Sequence, residues 1–467
     1  MTKEIVIIGG GIGGIYVLRN LLAKKDAVKE GLHLTLIKRE KSGWVSVCGL
    51  PFALRGWYEI DRTEINKPQF FLDQSVDFRT ESEVTKINVG ENSVVTLRTG
   101  EMLRYDYLII ATGRKPAVPA VVKKTNLEGV YTFNNEDDAR KIEAAMNSEG
   151  VKNAFVYGHG IGGVQVASAF SARGLKTTLF GRPPSLIASR LDPDMGDMLK
   201  EWLKKEGIRF ILDSEKGITA INGDGGRVKS VVIGEEGIPA DVVVISMGKK
   251  PDVGLAKEAG IEIGESHGIV TDSAMHVKKG RRYVSNVYSL GDCVEVIDGI
   301  THRPRLNQAA FAAVVQAKVV TDNIFSDIRG QLDLYSSYEP SLGPTVADFV
   351  GLLVGSVGVT SEAASRAGLK TVSGKATKLT KARYFPGAKP LTLKLIFDAY
   401  TKKLIGAQMV GEATVAERVN ELAVAIYAGI TAAEMRNMER CYDPSLALLI
   451  DVTIDAAEAA MGITAVY

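Results

Sequence analysis

The chain has 467 residues, of which 57 are Lys or Arg and 55 are Asp or Glu, so its formal net charge is only +2. A charge so close to neutral excludes a protein that binds nucleic acids or anionic membranes through bulk charge. Hydrophobic residues make up 45% and charged residues 24% of the chain, which is typical of a folded globular protein. The length predicts roughly two to four domains.

The three cysteines, Cys48, Cys293 and Cys441, are too few and too widely spaced for a disulfide framework or a zinc cluster. The five histidines are also scattered, so no metal site is predicted. The first residues lack the anatomy of a signal peptide, and no apolar run reaches the roughly 18 residues of a membrane-spanning helix. We therefore expect a cytoplasmic protein.

The first element is a short apolar strand, Ile5–Ile8, of the kind that is buried in a parallel sheet. A loop follows in which Gly9, Gly11 and Gly14 match G-x-G-x-x-G, and a second strand is predicted at Leu32–Ile37 after an intervening helix. In this setting the first glycine makes a tight turn, the second lets a pyrophosphate approach the backbone, and the third lets helix and strand pack closely. The N-terminal segment therefore predicts a dinucleotide site.

The second strand of such a unit usually ends at an acid that binds ribose hydroxyls. Here that position is Lys38, followed by Arg39 and Glu40. Two alternatives stay open: Glu40 replaces the acid, or the ribose is bound in another way. The pyrophosphate site is predicted in both cases.

The same pattern of strand, glycine loop and helix returns with Gly158, Gly160 and Gly163. The next strand of this second unit ends at Gly181, followed by Arg182. An acid at this point would bind a 2′-hydroxyl and repel a 2′-phosphate, whereas glycine followed by arginine does the reverse. The sequence therefore favours NADPH over NADH.

Three further apolar strands end at a glycine, where a ligand could approach the backbone; they are predicted at Tyr107–Ala111, Val242–Ser246 and Val287–Leu290. A long amphipathic helix is predicted at Asn307–Ile324. From about residue 340 the pattern changes to that of a separate α+β domain. The chain therefore predicts an α/β protein with two Rossmann-like nucleotide-binding domains and a C-terminal α+β domain.

Two dinucleotide sites in one chain suggest electron transfer from NAD(P)H to a flavin. The candidate group that faces the flavin is Cys48, which precedes a predicted helix with Pro51 in its first turn. A helix N-terminus favours the thiolate, and the thiolate is the form that attacks disulfide sulfur. A buried structural cysteine is the alternative.

These features resemble the flavin-dependent pyridine nucleotide–disulfide oxidoreductases over nearly the whole chain. The resemblance is carried by the two glycine loops, Ala111-Thr112-Gly113, Ser289-Leu290-Gly291-Asp292 and the C-terminal segments 384–388 and 394–398. Cys48-Gly49-Leu50-Pro51 is similar to the branch with a single redox cysteine, which includes coenzyme A disulfide reductases, NADH oxidases and NAD(P)H-dependent sulfur or polysulfide reductases. Because positions 43 and 53 are glycine and alanine, Cys48 has no partner at the spacing of the two-cysteine branch.

The resemblance implies FAD and NADPH or NADH as cofactors, a catalytic Cys48, and a homodimer formed by the C-terminal domain. It assigns to FAD the residues Gly9, Gly11, Gly14, Lys38, Arg39, Val84, Ala111, Thr112, Gly113 and Asp292, and to NAD(P)H the residues Gly158, Gly160, Gly163, Gly181 and Arg182. Tyr442 falls where the family has a tyrosine that reaches the other subunit's flavin site, and Tyr384 is a second candidate. The implied domains are 1–118 with 270–335 for FAD, 119–269 for NAD(P)H, and 336–467 for dimerisation.

The resemblance thus implies an FAD-dependent NAD(P)H oxidoreductase that reduces a low-molecular-weight disulfide, polysulfide or persulfide through Cys48. The family's oxidases have a histidine in the first glycine loop where this chain has Ile12, which favours sulfur chemistry. The chain also departs from the family at Ile161 and Gln165 near the nicotinamide and at Val47 before the cysteine. An NAD(P)H oxidase that reduces O2, a quinone reductase and a non-catalytic redox sensor stay open as alternatives.

Overall fold

A computed structural model describes residues 2–25, 31–90, 94–123, 125–212 and 215–463 of the protein. The chain divides into two compact units. The first unit comprises residues 1–50, 58–116 and 249–341, and the second comprises residues 51–57, 117–248 and 342–467. Each unit is built around a largely parallel sheet, and the second unit also contains an antiparallel sheet from the C-terminal part of the chain.

The strands in chain order are β1 (Lys3–Ile8), β2 (Leu32–Ile37), β3 (Trp44–Val45), β4 (Glu64–Asn66), β5 (Asp77–Arg79), β6 (Val84–Asn88), β7 (Val94–Leu97), β8 (Met102–Arg104), β9 (Tyr107–Ile110), β10 (Arg114–Pro116), β11 (Val130–Thr132), β12 (Asn153–Tyr157), β13 (Lys176–Phe180), β14 (Arg209–Ile211), β15 (Ile218–Asp224), β16 (Arg227–Ile233), β17 (Glu236–Pro239), β18 (Val242–Ile245), β19 (Lys249–Pro251), β20 (His276–Lys279), β21 (Arg282–Ser289), β22 (Glu295–Ile297), β23 (Pro304–Leu306), β24 (Thr345–Phe349), β25 (Leu352–Gly358), β26 (Thr371–Leu379), β27 (Pro390–Asp398) and β28 (Leu404–Gly411).

The α-helices are α1 (Ile12–Lys24), α2 (Leu50–Leu54), α3 (Pro68–Leu72), α4 (Ala120–Lys123), α5 (Glu136–Met146), α6 (Ile161–Ala172), α7 (Pro193–Lys205), α8 (Gly254–Glu258), α9 (Ala310–Ile328), α10 (Ser361–Arg366), α11 (Val415–Tyr427), α12 (Ala432–Asn437) and α13 (Val452–Ala460). Short 3₁₀ helices cover Val47–Gly49, Ile60–Thr63 and Leu332–Leu334.

The main sheet of the first unit has the strand order β20-β21-β9-β1-β2-β5. All neighbouring pairs are parallel except β20 and β21. The last four residues of β1 and all of β9 are buried, which explains why these strands are apolar without alternation. Helices α1 and α9 pack against each other in the same unit. The predicted first strand, second strand and long helix are confirmed. The long helix is α9, which ends at Ile328, four residues beyond the predicted Ile324.

The parallel sheet of the second unit has the order β11-β18-β12-β13-β14. Strand β12 pairs in parallel with both β13 and β18, so the second glycine loop begins at the centre of this sheet. The predicted α/β class with two Rossmann-like sheets is therefore confirmed.

The C-terminal part of the second unit forms an antiparallel sheet of order β24-β25-β28-β27-β26, against which α11 and α13 pack. The apolar stretch 345–359, interrupted by Asp348, forms a hairpin of β24 and β25 within this sheet. The chain reverses at Val350 and Gly351, which have φ values of 55° and 85°. The antiparallel arrangement confirms the predicted α+β domain.

Two small antiparallel sheets, β6-β7-β8 and β15-β16-β17, were not among the predicted elements. In β16, buried residues are interspersed with exposed and half-exposed ones. A strand with one solvated face lacks the continuous apolar run of the parallel strands, so its sequence pattern is weaker.

Candidate functional site

The first glycine loop (residues 9–14) connects the carboxyl end of β1 to α1 and is closely packed at two of its three motif glycines. A Cβ atom on Gly9 would lie 2.1 Å from the carbonyl oxygen of Ala111, and one on Gly14 would lie 2.0 Å from that of Gly9. At Gly11 a Cβ would meet no atom within 4 Å. The turn and the helix contact therefore need glycine for packing inside the protein, whereas Gly11 leaves open space at the start of the helix.

That open space is suited to a pyrophosphate. Gly11 is the N-cap of α1, with no side-chain hydrogen bond to the cap and no acidic residue in the first turn. Backbone N–H groups at a helix N-terminus are free to bind an anion when no side chain occupies them. The loop therefore fits the pyrophosphate of FAD.

Adding one methyl group is predicted to have different effects at Gly11 and at Gly14. Gly11→Ala is expected to change the free energy of unfolding of the apoprotein by less than about 1 kcal/mol but to weaken FAD binding at least about tenfold, because the methyl group enters the open space. Gly14→Ala is expected to lower the free energy of unfolding of the apoprotein by more than about 2 kcal/mol, because its Cβ would collide with the backbone. Urea unfolding of the apoproteins and FAD titration followed by flavin fluorescence measure both effects. Equal losses of stability would contradict the assignment.

The carboxyl ends of β9 and β21 lie beside this loop. Ala111 donates its N–H to Ile8 O at 2.8 Å, and Leu290 donates to Ile110 O at 3.2 Å, so the strand ends are adjacent. The structure therefore brings the predicted residues Ala111, Thr112, Gly113 and Asp292 to the same sheet edge as the first glycine loop. Asp292 follows Gly291, whose φ is 84°.

A guanidinium that was not predicted lies at the same edge. Arg114 donates a hydrogen bond to the carboxylate of Asp292 and forms an ion pair with it. A cation here offsets the charge of Asp292, which would otherwise repel a pyrophosphate. Arg114 follows directly after Thr112-Gly113, but its pairing with a residue 178 positions away carries no local sequence signal.

The three other residues that the sequence assigned to FAD differ in their surroundings. The side chain of Lys38 is only 4% exposed. Arg39 is 59% exposed at its side chain and lies 3.4 Å from Asp252 Oδ2. Val84, in β6, is 6% exposed and belongs to the hydrophobic core of the first unit, so its side chain packs inside the protein. Glu40, the alternative ribose acid, lies 4.0 Å from Lys38 Nζ.

Cys48 lies in the 3₁₀ helix Val47–Gly49, directly before α2, and its side chain is exposed. The backbone around it is tied by hydrogen bonds. Gly49 donates to Ser46 O at 2.9 Å, and the Tyr58 hydroxyl donates to Gly49 O at 2.9 Å. The predicted helix is confirmed but has only five residues, so the contribution of its dipole is that of a single short turn. The exposed thiol excludes the alternative of a buried packing cysteine.

The second glycine loop (residues 158–163) repeats the geometry of the first. A Cβ on Gly158 would lie 2.1 Å from Ser246 O, and one on Gly163 would lie 2.1 Å from Gly158 O. At Gly160, the N-cap of α6, a Cβ would again meet nothing within 4 Å. This loop therefore fits a second pyrophosphate, that of NAD(P)H.

A histidine occupies the volume next to Gly181 at the end of β13. A Cβ on Gly181 would lie 2.8 Å from His159 Cβ and 3.2 Å from its Nδ1. Burial lowers the pKa of the His159 imidazole. Arg182 is exposed. Sequence reasoning missed His159, although its place inside the second glycine loop was a usable signal.

The loop after Arg182 is anchored to the same histidine. Ile187 donates its N–H to His159 O at 2.8 Å and is 2% exposed. Its φ is 51°, which is a strained conformation for a β-branched residue. Such strain persists where surrounding contacts require it and is concentrated at functional sites.

The two tyrosine candidates lie on neighbouring segments of the second unit. Tyr384 is 72% and Tyr442 is 51% exposed. Ala382 donates its N–H to Pro444 O at 3.2 Å, which joins the two segments. Exposed aromatic hydroxyls of this kind are available to a second subunit.

Comparison with known proteins agrees with this geometry. The family model described as pyridine nucleotide-disulphide oxidoreductase matches residues 3–313, and the dimerisation domain of the same family matches residues 345–450. The chain belongs to the pyridine nucleotide-disulphide oxidoreductase family. It is therefore an NAD(P)H-dependent flavin oxidoreductase that uses FAD, and its C-terminal sheet belongs to a dimerisation domain.

Several members of this oxidoreductase family are similar over nearly the whole of this chain. An NADH oxidase of Methanocaldococcus jannaschii is 31% identical over 462 residues, which is 98% of each chain. An NAD(P)H coenzyme A polysulfide/persulfide reductase of Pyrococcus horikoshii is 28% identical over 97% of each chain. The solved structure of an NAD-dependent persulfide reductase from A. fulgidus has a TM-score of 0.89 and 29% identity, covering 98% of this chain and 83% of that one.

Within the described ranges of this oxidoreductase, none of the helices combines the length and the apolar character that a membrane crossing requires.

Proposed function

We propose that the protein uses NADPH to reduce a low-molecular-weight disulfide, polysulfide or persulfide at Cys48. The observation that carries the proposal is that Cys48 is a free, exposed thiol on a backbone tied into the unit that contains the first glycine loop. Its neighbours at five residues on either side, Gly43 and Ala53, offer no second sulfur. The names of the Pyrococcus and A. fulgidus proteins support sulfur chemistry for this arrangement.

In this proposal Cys48 is the nucleophile. Its thiolate attacks one sulfur of the acceptor, forms a mixed disulfide or persulfide, and releases the other sulfur as a thiolate. FAD, when bound, supplies the transfer of two electrons from NADPH to this sulfur. Reduction frees the Cys48 thiolate and the second substrate thiol, so that one disulfide, one NADPH and one proton give two thiols and NADP⁺.

We propose that Tyr442 supplies a proton to the leaving thiolate in the partner subunit's site, with Tyr384 as the second candidate. The exposure of both hydroxyls and the dimerisation domain support this role. The proposed domain division follows the sequence, with FAD bound by 1–118 and 270–335, NAD(P)H by 119–269, and the dimer formed by 336–467.

NADPH is proposed over NADH because the end of β13 offers no acid. His159 fills the space beside Gly181, and the next residue is Arg182. An imidazole and a guanidinium can donate hydrogen bonds to a 2′-phosphate, whereas an acid would repel it.

A second candidate function is reduction of O2, because the M. jannaschii relative is named an NADH oxidase. Ile12 supports the sulfur function over this one. It begins α1 in the first glycine loop, and its side chain has no group that can move a proton to a peroxide.

Anaerobic titration separates the two functions. The FAD-loaded protein is reduced with NADPH or NADH, and then coenzyme A disulfide, polysulfide or air is added while the flavin spectrum is followed. We expect NADPH to bleach the flavin and a sulfur acceptor to restore its colour at least about tenfold faster than air. Equal or faster recovery in air would favour the oxidase and reject the sulfur function.

A further inference from the structure

Lys38 is a buried cation at the carboxyl end of β2, where this fold usually has a ribose-binding acid. A charge removed from water must be hydrogen-bonded. Lys38 Nζ donates to Ser42 O at 2.7 Å and to Gly43 O at 2.6 Å. The carboxylate of Glu40 lies 4.0 Å from the same nitrogen. The ammonium therefore closes residues 38–43 into a compact loop.

The methylene chain of Lys38 lies against the first glycine loop. A Cβ on Gly10 would lie 2.6 Å from Lys38 Cδ and 3.1 Å from its Cε. Gly10 lies between the motif residues Gly9 and Gly11. A single side chain thus contacts the predicted pyrophosphate loop with its stem and the segment leading to Cys48 with its ammonium group.

The chain between Gly43 and Cys48 is held in place by hydrogen bonds that its backbone N–H groups donate. Gly43 donates its N–H to Glu64 Oε1 at 2.6 Å. Strand β3 then pairs with β4, and Ser46 donates its N–H to Thr63 O at 2.7 Å. Cys48 follows two residues later, so the segment between Lys38 and Cys48 is held at Gly43 and at Ser46 as well as by the Lys38 ammonium group.

We propose that Lys38 is a positioning residue that fixes the Cys48 segment relative to the FAD glycine loop. This inference rests on the proposed function, in which Cys48 is the redox group. A carboxylate at position 38 could not make the same contacts, because it would meet two carbonyl oxygens that are also acceptors. At the position where this fold usually has a ribose-binding acid, this chain therefore has a lysine that positions the segment of the reactive cysteine.

The test is Lys38→Met, which keeps most of the stem and removes the donor, made in a Cys441→Ser background so that Cys48 is the one exposed thiol. The rate of Cys48 alkylation by iodoacetamide is measured against pH, with and without FAD. We expect the rate to change at least about fivefold with a shifted pH profile, and acceptor turnover to fall at least about tenfold. Acceptor turnover is expected to fall by a larger factor than the rate of FAD reduction by NADPH, with both rates measured on protein saturated with FAD. Should this variant fail to fold, Lys38→Gln is measured by the same criteria.

Lys41→Met is the matched control, because Lys41 is an exposed lysine in the same loop. It is expected to behave like the parent protein. A lower melting temperature for Lys38→Met with an alkylation profile equal to that of Lys41→Met would overturn the proposal, since Lys38 would then serve stability alone. Weaker FAD binding with unchanged alkylation of the apoprotein would also overturn it. Failure of the proposed function would be seen separately, as acceptor turnover that survives Cys48→Ser.

Discussion

Replacing Cys48 with serine is expected to lower turnover with a disulfide or polysulfide acceptor about a thousandfold or more, while the rate of FAD reduction by NADPH changes by less than about twofold. The sulfur is the only atom in the proposed mechanism that bonds to the acceptor, and a serine hydroxyl is not ionised to a useful extent near neutral pH. Stopped-flow absorbance of the flavin separates the two half-reactions.

Cys441→Ser is the matched control for this prediction. Cys441 is also a free, exposed cysteine, but it lies in the second unit next to Tyr442. Its replacement is expected to leave both half-reactions within about twofold of the parent protein. If Cys48→Ser is reoxidised by the sulfur acceptor at the parent rate, Cys48 is not the redox group and the proposed function is wrong.

The second large effect is a reversal of nucleotide preference. We expect the double variant His159→Gly, Gly181→Asp to lower the ratio of kcat/KM for NADPH over NADH at least about a hundredfold. An aspartate at the end of β13 accepts hydrogen bonds from a 2′-hydroxyl and repels a 2′-phosphate. The histidine must be removed as well, because a Cβ at position 181 would lie 2.8 Å from His159 Cβ.

The single variants give the controls. Gly181→Asp alone is expected to be destabilised and to lose activity with both nucleotides, because the collision with His159 remains. Arg182→Ala is expected to raise KM for NADPH with little effect on KM for NADH, because only the phosphate needs the cation. A double variant that keeps the parent ratio would mean that the adenosine ribose does not lie at the end of β13.

Much of the framework could be predicted because its signals are local. Both glycine loops follow an apolar strand and precede a helix, and each was predicted from a few consecutive residues. The separate roles of the three glycines in each loop were also predicted from the motif. The first and third glycines of each loop are required by packing, and the second opens onto free space. The small antiparallel sheets were missed because their half-solvated strands carry a weaker pattern than the continuous apolar runs.

The contacts that adjust the site could not be predicted in the same way. Arg114 and Asp292 are separated by 178 residues, and they meet because β9 and β21 are neighbours in the sheet. Lys38 was recognised as a departure from the usual acid, but its burial and its two carbonyl partners depend on how residues 39–43 fold back. His159 beside Gly181 likewise depends on the pairing of β12 with β13.

The sequence by itself determined the α/β class, the two dinucleotide motifs and the single candidate cysteine. The class and the motifs depend on hydrophobic period and on glycine at a fixed spacing, and the cysteine was recognised by its place before a predicted helix; all of these are properties of short segments. Only the tertiary structure decided which charged and polar side chains share a sheet edge. Strand order brings together residues that are far apart in the chain, and the electrostatics of a site depends on distances in space.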